Sequence, residues 1–197
     1  MENICCNCGK STQEILCETC NAWGVTTSEV FPTVSDVLSE QYHRIGKDGR
    51  RYWGKRGAGI VFSDGHSVLL LKRKGDDYRD HWCIPGGKAK ENENPIDTAQ
   101  REAKEECGSN EGQRVEQFHN QDGSHHFHTY LYSVNKPFDV TLSDEHSDSK
   151  WVPLDEVESL KLHPKFKEAW PGYLRAIKKK ISRKSFNEWY AKRNSQG

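Results

Sequence analysis

Short apolar runs alternate with polar stretches over the middle of the chain, and their lengths and spacings separate strands from helices. Ala58–Phe62 and Val68–Lys72 flank Ser63-Asp64-Gly65, a turn sequence, and predict a strand pair. Trp82–Pro85 predicts a short extended piece leading into Gly86-Gly87. Ile96, Ala99 and Ala103 fall on one side of a helix over Ile96–Cys107. Phe127–Val134, rich in aromatic and β-branched residues, predicts another strand, and so does Lys150–Val152, which ends at Pro153. Asp155–Leu160 predicts a helix, and Leu174, Ile177 and Ile181 recur at the spacing of an amphipathic helix after Trp170. Strands interleaved with helices in mixed order predict an α/β domain, with no internal repeat.

The flanks differ from this pattern. Residues 1–22 hold little apolar material besides Ile4, Ile15 and Leu16, too little for a core. Residues 23–56 read as a connector, with Ser35 as the cap of a short helix to Glu40 and Lys47-Asp48-Gly49 as a turn. The expected organisation is therefore 1–22, an appendage; 23–56, the connector; 57–168, the α/β domain; and 169–197, a basic tail.

Composition narrows the function classes. The 197 residues suffice for one domain and a small appendage, and 34% hydrophobic residues imply a modest core with long solvated segments. Formal net charge is zero, so only local charge bears on a polyanionic partner. It is local in the tail, where residues 171–197 carry eight Lys/Arg against Glu188 alone. No apolar run approaches membrane-spanning length, and Met1–Cys5 lacks a basic segment followed by an apolar one, so a cytoplasmic location without a signal peptide is expected.

Five of the seven cysteines lie in the first 20 residues. Cys5-x2-Cys8 and Cys17-x2-Cys20 form two knuckles able to present four thiolates tetrahedrally to a structural Zn²⁺. In a segment without a core the metal would supply the folding energy. The other reading is free or redox thiols, with Cys6 as a neighbour. The segment resembles a zinc ribbon.

The most informative stretch runs from Gly86 to Gly108. Glu102, Glu105 and Glu106 stand at i, i+3 and i+4, on one helical face, where like charges repel. A hard divalent cation takes carboxylate oxygens and would turn that repulsion into binding. Pro95 suits the helix start, Gly108 its C-terminal cap, and Gly86-Gly87 permits close approach of backbone to metal or phosphate. An acidic face paired in solvent with Arg101 and Lys104 is the plainer reading of such a string. The spacing decides against it. Gly87, Glu93, Arg101, Glu102, Glu105, Glu106 and Gly108 occupy the fixed positions of the Nudix box, which this segment resembles. Ala103 is smaller and Ser109 more polar than that pattern usually carries. Trp82–Gly87, Leu69–Arg73 and Trp151–Glu156 extend the resemblance over about residues 57–160.

The resemblance implies a Nudix-type α/β/α sandwich with a mixed sheet. It also implies a hydrolase that cleaves the diphosphate linkage of a nucleoside triphosphate, ADP-ribose or dinucleotide by attack of water at phosphorus. Glu102, Glu105 and Glu106 would hold Mg²⁺ or Mn²⁺, with the Gly86 carbonyl as a further ligand and Glu105 and Glu106 in the catalytic set. Glu93 would pair with Arg101 and hold the loop. Glu145, six residues before Trp151, matches a later-loop glutamate that serves in the family as ligand or base; Asp144 and Asp148 are its neighbours. Arg73 is a candidate phosphate contact and equally an ordinary strand-end cation. His126 and His128 are expected on one sheet face and His125 on the other, as exposed strand residues. A zinc ribbon joined to such a domain also resembles the NADH pyrophosphatase group, but Gln117–Gln121 stands where that group's own motif would follow the box. Two other functions stay open. The basic tail, with Trp189 and Tyr190, would suit an enzyme acting on RNA 5′ ends. A non-catalytic nucleotide sensor would not need the three glutamates together. A homodimer is compatible with the resemblance.

Overall fold

The computed structural model describes residues 3–4, 11–12, 22–23, 43–45, 51–91, 93–123 and 125–194, with side chains in 22–23, 55–91, 93–123 and 125–180. The cysteine knuckles and the helix expected from Ser35 lie outside them. The elements are β1 (Asn3–Ile4), β2 (Ser11–Thr12), β3 (His43–Ile45), β4 (Arg51–Ser63), β5 (Ser67–Arg73), β6 (Trp82–Cys83), β7 (Gly86–Lys90), α1 (Pro95–Cys107), β8 (Gln113–Asp122), β9 (His125–Ser133), β10 (His146–Pro153), a 3-10 turn (Val157–Ser159) and α2 (Pro164–Asn194). β1 and β2 pair with each other. A second sheet takes the order β10-β5-β4-β9-β8, with β3 and β7 also paired to β4 and β6 to β5. Strands and few helices thus combine in an α/β fold built on a mixed sheet. No helix among the described residues is long and apolar enough to cross a membrane.

Backbone contacts divide the chain into two compact units. The first comprises residues 1–60, 86–104 and 117–130. Here β4 pairs with β7 through Gly57↔Lys88, Ala58↔Gly87 and Gly59↔Gly86. Glycine is required for that approach: a Cβ on Gly57 would meet the Gly87 carbonyl at 2.7 Å, and one on Gly86 the Gly59 Cα at 2.6 Å. Ala58, Ile60, Ala89, Ala99 and Ala103 are fully buried, so a small side chain at the Ala103 position of the box is accommodated by close packing.

The second unit comprises residues 61–85, 105–116 and 131–197. Val68, Leu69, Leu70 and Leu71 are all fully buried, as in a strand covered on both faces. β5 pairs antiparallel with β10, from Ser67↔Pro153 to Arg73↔His146, with a register shift between His146 and Asp148. The turn that joins β4 to β5 is set by Asp64 Oδ1, which accepts from the Ser67 and His66 amides at 2.7 and 2.9 Å. Gly65 supplies the left-handed residue (φ +95°) there. Phe62 meets Tyr132 and Phe138 edge-on, and Phe138 meets Trp151 in the same way.

Several elements depart from the expectation. β4 is longer at its N-terminus and β10 begins at His146. Asp155–Leu160 forms only a 3-10 turn. The C-terminal helix starts at Pro164, a good first helical residue, and carries Pro171 inside it. Its packed stripe is Phe166, Trp170, Tyr173 and Ile177. That stripe anchors a helix whose interior proline removes one backbone donor.

Candidate active site

In the first unit, a short loop and the start of α1 are locked by Glu93. Its carboxylate accepts from the Lys90 amide (2.9 Å), the Thr98 hydroxyl (2.9 Å) and both ends of the Arg101 fork, Nε at 2.7 Å and Nη2 at 2.8 Å. Arg101 also donates to Glu102 Oε1 at 2.7 Å and to the Lys88 carbonyl at 3.0 Å. Burial works to raise the Glu93 carboxyl pKa, but the Arg101 hydrogen bonds and charge outweigh it and hold the group below the ordinary carboxylate range. Burial likewise works against the Arg101 charge, and its hydrogen bonds to Glu93 together with the Glu102 charge reverse this, so Arg101 stays protonated. Glu93 and Arg101 thus form a bidentate, mostly buried ion pair.

Gly87 faces the Glu102 carboxylate so closely that a Cβ there would lie 2.6–2.7 Å from its carbon and both oxygens. The missing side chain is what lets Glu102 sit against this loop. Two partners were not legible in advance. Trp23 is fully buried and its indole N–H donates to the Glu93 carbonyl at 2.8 Å. Thr98, also fully buried, bonds the Glu93 side chain.

The same unit corrects the reading of the histidines. His126 and His128 do share a face, but they are 2% and 4% exposed rather than open to solvent. His119, on β8, stacks on both rings, with centroids 5.3 and 4.3 Å away. Trp23 meets His128 edge-on at 5.5 Å. Burial, with the neighbouring His119 charge, lowers the His128 pKa to about 4, so it is a neutral core residue near neutral pH. His125 is exposed on the other face.

In the second unit, the C-terminal end of α1 is capped from the chain before β10. Thr141 and Ser143 amides donate to the Cys107 and Glu106 carbonyls, and Gly108, at φ +79°, ends the helix. Glu105 is exposed and Glu106 buried. His146 Nε2 lies 3.9 Å from Glu106 Oε1, and its Nδ1 has no hydrogen-bond partner among the described residues. Burial and then the Arg73 charge lower the His146 pKa to about 4. Arg73 is the register partner of His146, and its Nε donates to the Asp77 carbonyl at 3.1 Å. Glu145, exposed beside them, accepts the Lys74 amide on its carbonyl at 3.0 Å. Burial and the Glu106 charge push the Cys83 thiol up to about 12, which keeps it protonated and unreactive. His146 was missed in the sequence, where nothing marks it among the polar residues 143–149.

Three carboxylates thus project at i, i+3 and i+4 from one helix, graded from half-buried Glu102 through exposed Glu105 to buried Glu106. Glu102 is turned to Arg101 and Glu106 lies near His146. Among the described residues, no three His, Cys, Asp or Glu side chains are gathered closely enough to enclose a metal ion by themselves. Carboxylate and backbone carbonyl oxygens are the hard donors that Mg²⁺ and Mn²⁺ take, and the space at Gly87 admits the Glu102 carboxylate to the loop, so the donor set fits such an ion.

Residues 54–173 match the family model for the NUDIX domain. A Mycobacterium tuberculosis protein named "Putative 8-oxo-dGTP diphosphatase 3" is 29% identical over 162 residues, covering 71% of this chain and 74% of that protein. A nucleoside triphosphate pyrophosphatase/Nudix hydrolase fusion protein from Bifidobacterium longum is 30% identical over 139 residues, 64% of this chain and 29% of its own length. Among solved structures, the Nudix hydrolase RenU from M. smegmatis superposes with a TM-score of 0.56 at 24% identity, covering 71% of this chain and 95% of that one. The Ap4A hydrolase of C. elegans gives 0.51 at 24% identity, with 64% and 97% covered. The last two likenesses establish the fold.

Proposed function

The chain belongs to the Nudix family and is a hydrolase of phosphorus anhydrides, and from that premise we propose that it cleaves the diphosphate linkage of a nucleoside diphosphate-linked substrate with Mg²⁺ or Mn²⁺. A nucleoside triphosphate is the leading candidate, with ADP-ribose and dinucleotides behind it. The single observation that carries the proposal is the intact box: Glu102, Glu105 and Glu106 at i, i+3 and i+4 on one helix, in a segment that also forms the Glu93–Arg101 pair. The name of the mycobacterial relative supports the order of candidates.

In this proposal the three glutamates and the Gly86 carbonyl would hold the ion, which would supply charge neutralisation at the phosphates and a more acidic water. Arg101 keeps the Glu102 carboxylate oriented, and Gly87 leaves room for it. Arg73, whose Nε is already tied to the Asp77 carbonyl, offers the rest of its guanidinium to phosphate oxygens. Glu145 takes the proton of the attacking water. The water oxygen bonds to one phosphorus, the bridging P–O bond breaks, and the bridging oxygen leaves on the second phosphate fragment. Burial of Glu106 next to neutral His146 keeps bulk water from that carboxylate.

The test is to incubate the full chain and Mg²⁺ with nucleoside triphosphates including 8-oxo-dGTP, ADP-ribose, dinucleoside polyphosphates and 5′-triphosphorylated RNA, and to identify products. Two phosphorylated fragments from a small substrate, lost with EDTA and restored by Mg²⁺ or Mn²⁺, support the proposal. Conversion of RNA ends alone, with steep salt dependence, moves the substrate to RNA. Silence across the panel refutes the proposal and leaves a nucleotide sensor.

A further inference from the structure

The loop of residues 74–81 between β5 and β6 has an unusual backbone. Tyr78 (φ 54°) and Asp80 (φ 63°) both occupy the left-handed region, which bulky L residues rarely enter, and neither is glycine. The surroundings hold them there. Arg73 donates its amide to the His81 carbonyl and accepts the Asp80 amide on its own carbonyl, both at 3.0 Å. His81 bonds back to Tyr78 through its amide at 3.1 Å, and its Nδ1 lies 3.1 and 3.0 Å from the Tyr78 and Arg79 carbonyls. Lys72 pairs with Asp80 at 3.5 Å. An over-determined strained turn that presents one side chain points to a use for that side chain.

That side chain is Tyr78, the exposed large apolar residue of the described chain at 49% exposure. Its ring is steadied by two edge contacts, with His163 at 4.4 Å and His81 at 5.6 Å. His163 is itself placed by its amide's bond to the Trp82 carbonyl, 2.9 Å, on the strand entering the box. Burial first, then the charges of Arg73, His81 and Lys165, lowers the His163 pKa, which favours a neutral ring against Tyr78. A half-open aromatic ring on a loop tied to the candidate phosphate-binding arginine suits a molecule with a flat π-system at one end and phosphates at the other.

We propose that Tyr78, braced by His163 and His81 on the Arg73-anchored loop, is the stacking platform for the nucleobase of the substrate. The proposal rests on the reading of the chain as a nucleotide pyrophosphohydrolase and assigns its base subsite. Stacking recognises any base by its π-face, so this subsite provides affinity for nucleotides as a class, and discrimination among bases falls to other contacts.

The experiment compares the wild-type full chain with Tyr78→Ala and Tyr78→Phe. For dGTP, Tyr78→Ala raises KM about tenfold and leaves kcat within about twofold, while Tyr78→Phe keeps the wild-type KM, as expected for lost stacking. Inorganic tripolyphosphate, which has no base, shows no change in KM in either variant. In parallel, calorimetric titration with dGMP shows affinity about tenfold weaker in Tyr78→Ala and unchanged in Tyr78→Phe. Unchanged dGTP KM and dGMP affinity in Tyr78→Ala, or an equal KM rise for tripolyphosphate, overturns the platform, as does failure of wild type to bind dGMP or dGTP. If wild type hydrolyses no nucleotide yet binds dGMP through Tyr78, the hydrolase reading falls and the platform stands.

Discussion

Replacing Arg101 by methionine tests whether the Glu93–Arg101 pair holds the box loop in place. The substitution keeps volume and helix propensity but removes the hydrogen bonds to Glu93, to Glu102 and to the Lys88 carbonyl. The Arg101 and Glu93 side chains are only 17% and 14% exposed, so Glu93 is left as a mostly buried charge without its main partner. Breaking such a pair from one side costs about 3–5 kcal/mol, and residual water access argues for the lower end, about 3 kcal/mol. Urea denaturation followed by tryptophan fluorescence reads this as a lower midpoint. Adding Glu93→Gln to Arg101→Met removes the stranded charge and recovers about 2 kcal/mol. Arg101→Lys keeps the charge but not the fork, and falls between wild type and Arg101→Met. The exposed Arg79–Asp76 pair is the control, and Arg79→Ala there leaves the midpoint unchanged. A loss below about 1 kcal/mol in Arg101→Met, or no recovery in the double variant, refutes the reasoning. The pH dependence has a definite sign. The folded carboxyl of Glu93 lies below its unfolded value, so its stabilisation is in place above the ordinary carboxylate range and is lost as pH falls through the folded pKa. The acid limb of stability is therefore shallower in Glu93→Gln.

Gly87→Ala forces a Cβ to within 2.6–2.7 Å of the Glu102 carboxylate; steady-state kinetics should show a fall in kcat of about 10²-fold, and a change under twofold would clear that glycine of any role. Glu145→Gln should lower kcat by roughly 10²–10⁴-fold with the melting temperature unchanged, because the side chain is exposed; near-normal turnover would place the base elsewhere. His128 is buried with its pKa lowered to about 4, so its neutral form stabilises the fold above the ordinary imidazole value, and that contribution is lost as pH falls from there through about 4. Melting curves between pH 7 and 4 should fall less steeply in His128→Phe, and parallel slopes would count against this imidazole as a source of acid sensitivity.

The box was legible because its chemistry constrains spacing: the carboxylates must share a helical face, the loop must carry glycine, and the arginine must reach Glu93. Strands β5 and β9 were legible from runs such as Val68–Leu71, whose burial needs no partner to be guessed. Strand β8 was not, because Gln113–Asp122 is polar and mostly exposed, with no alternation to mark it. The burial of His126 and His128 was hidden for the same reason, since His119 on that strand covers them. His146 reaches Glu106 across a sequence gap of forty residues, and a register irregularity in β10 sits beside it. Tyr78 carries no local signal for its left-handed backbone, which the hydrogen bonds and ring contacts around it set instead.

Trp23 precedes the stretch matched by the family model, yet its indole steadies the Glu93 carbonyl and its own carbonyl lies 3.4 Å from His128 Nε2. The inherited module and the mechanical module therefore have different edges. A fragment trimmed to start at residue 54 would retain every signature residue and lose the wedge behind them, leaving an unanswered backbone oxygen and an uncovered imidazole. Excision at a homology boundary is for this chain a mutation of the box loop itself.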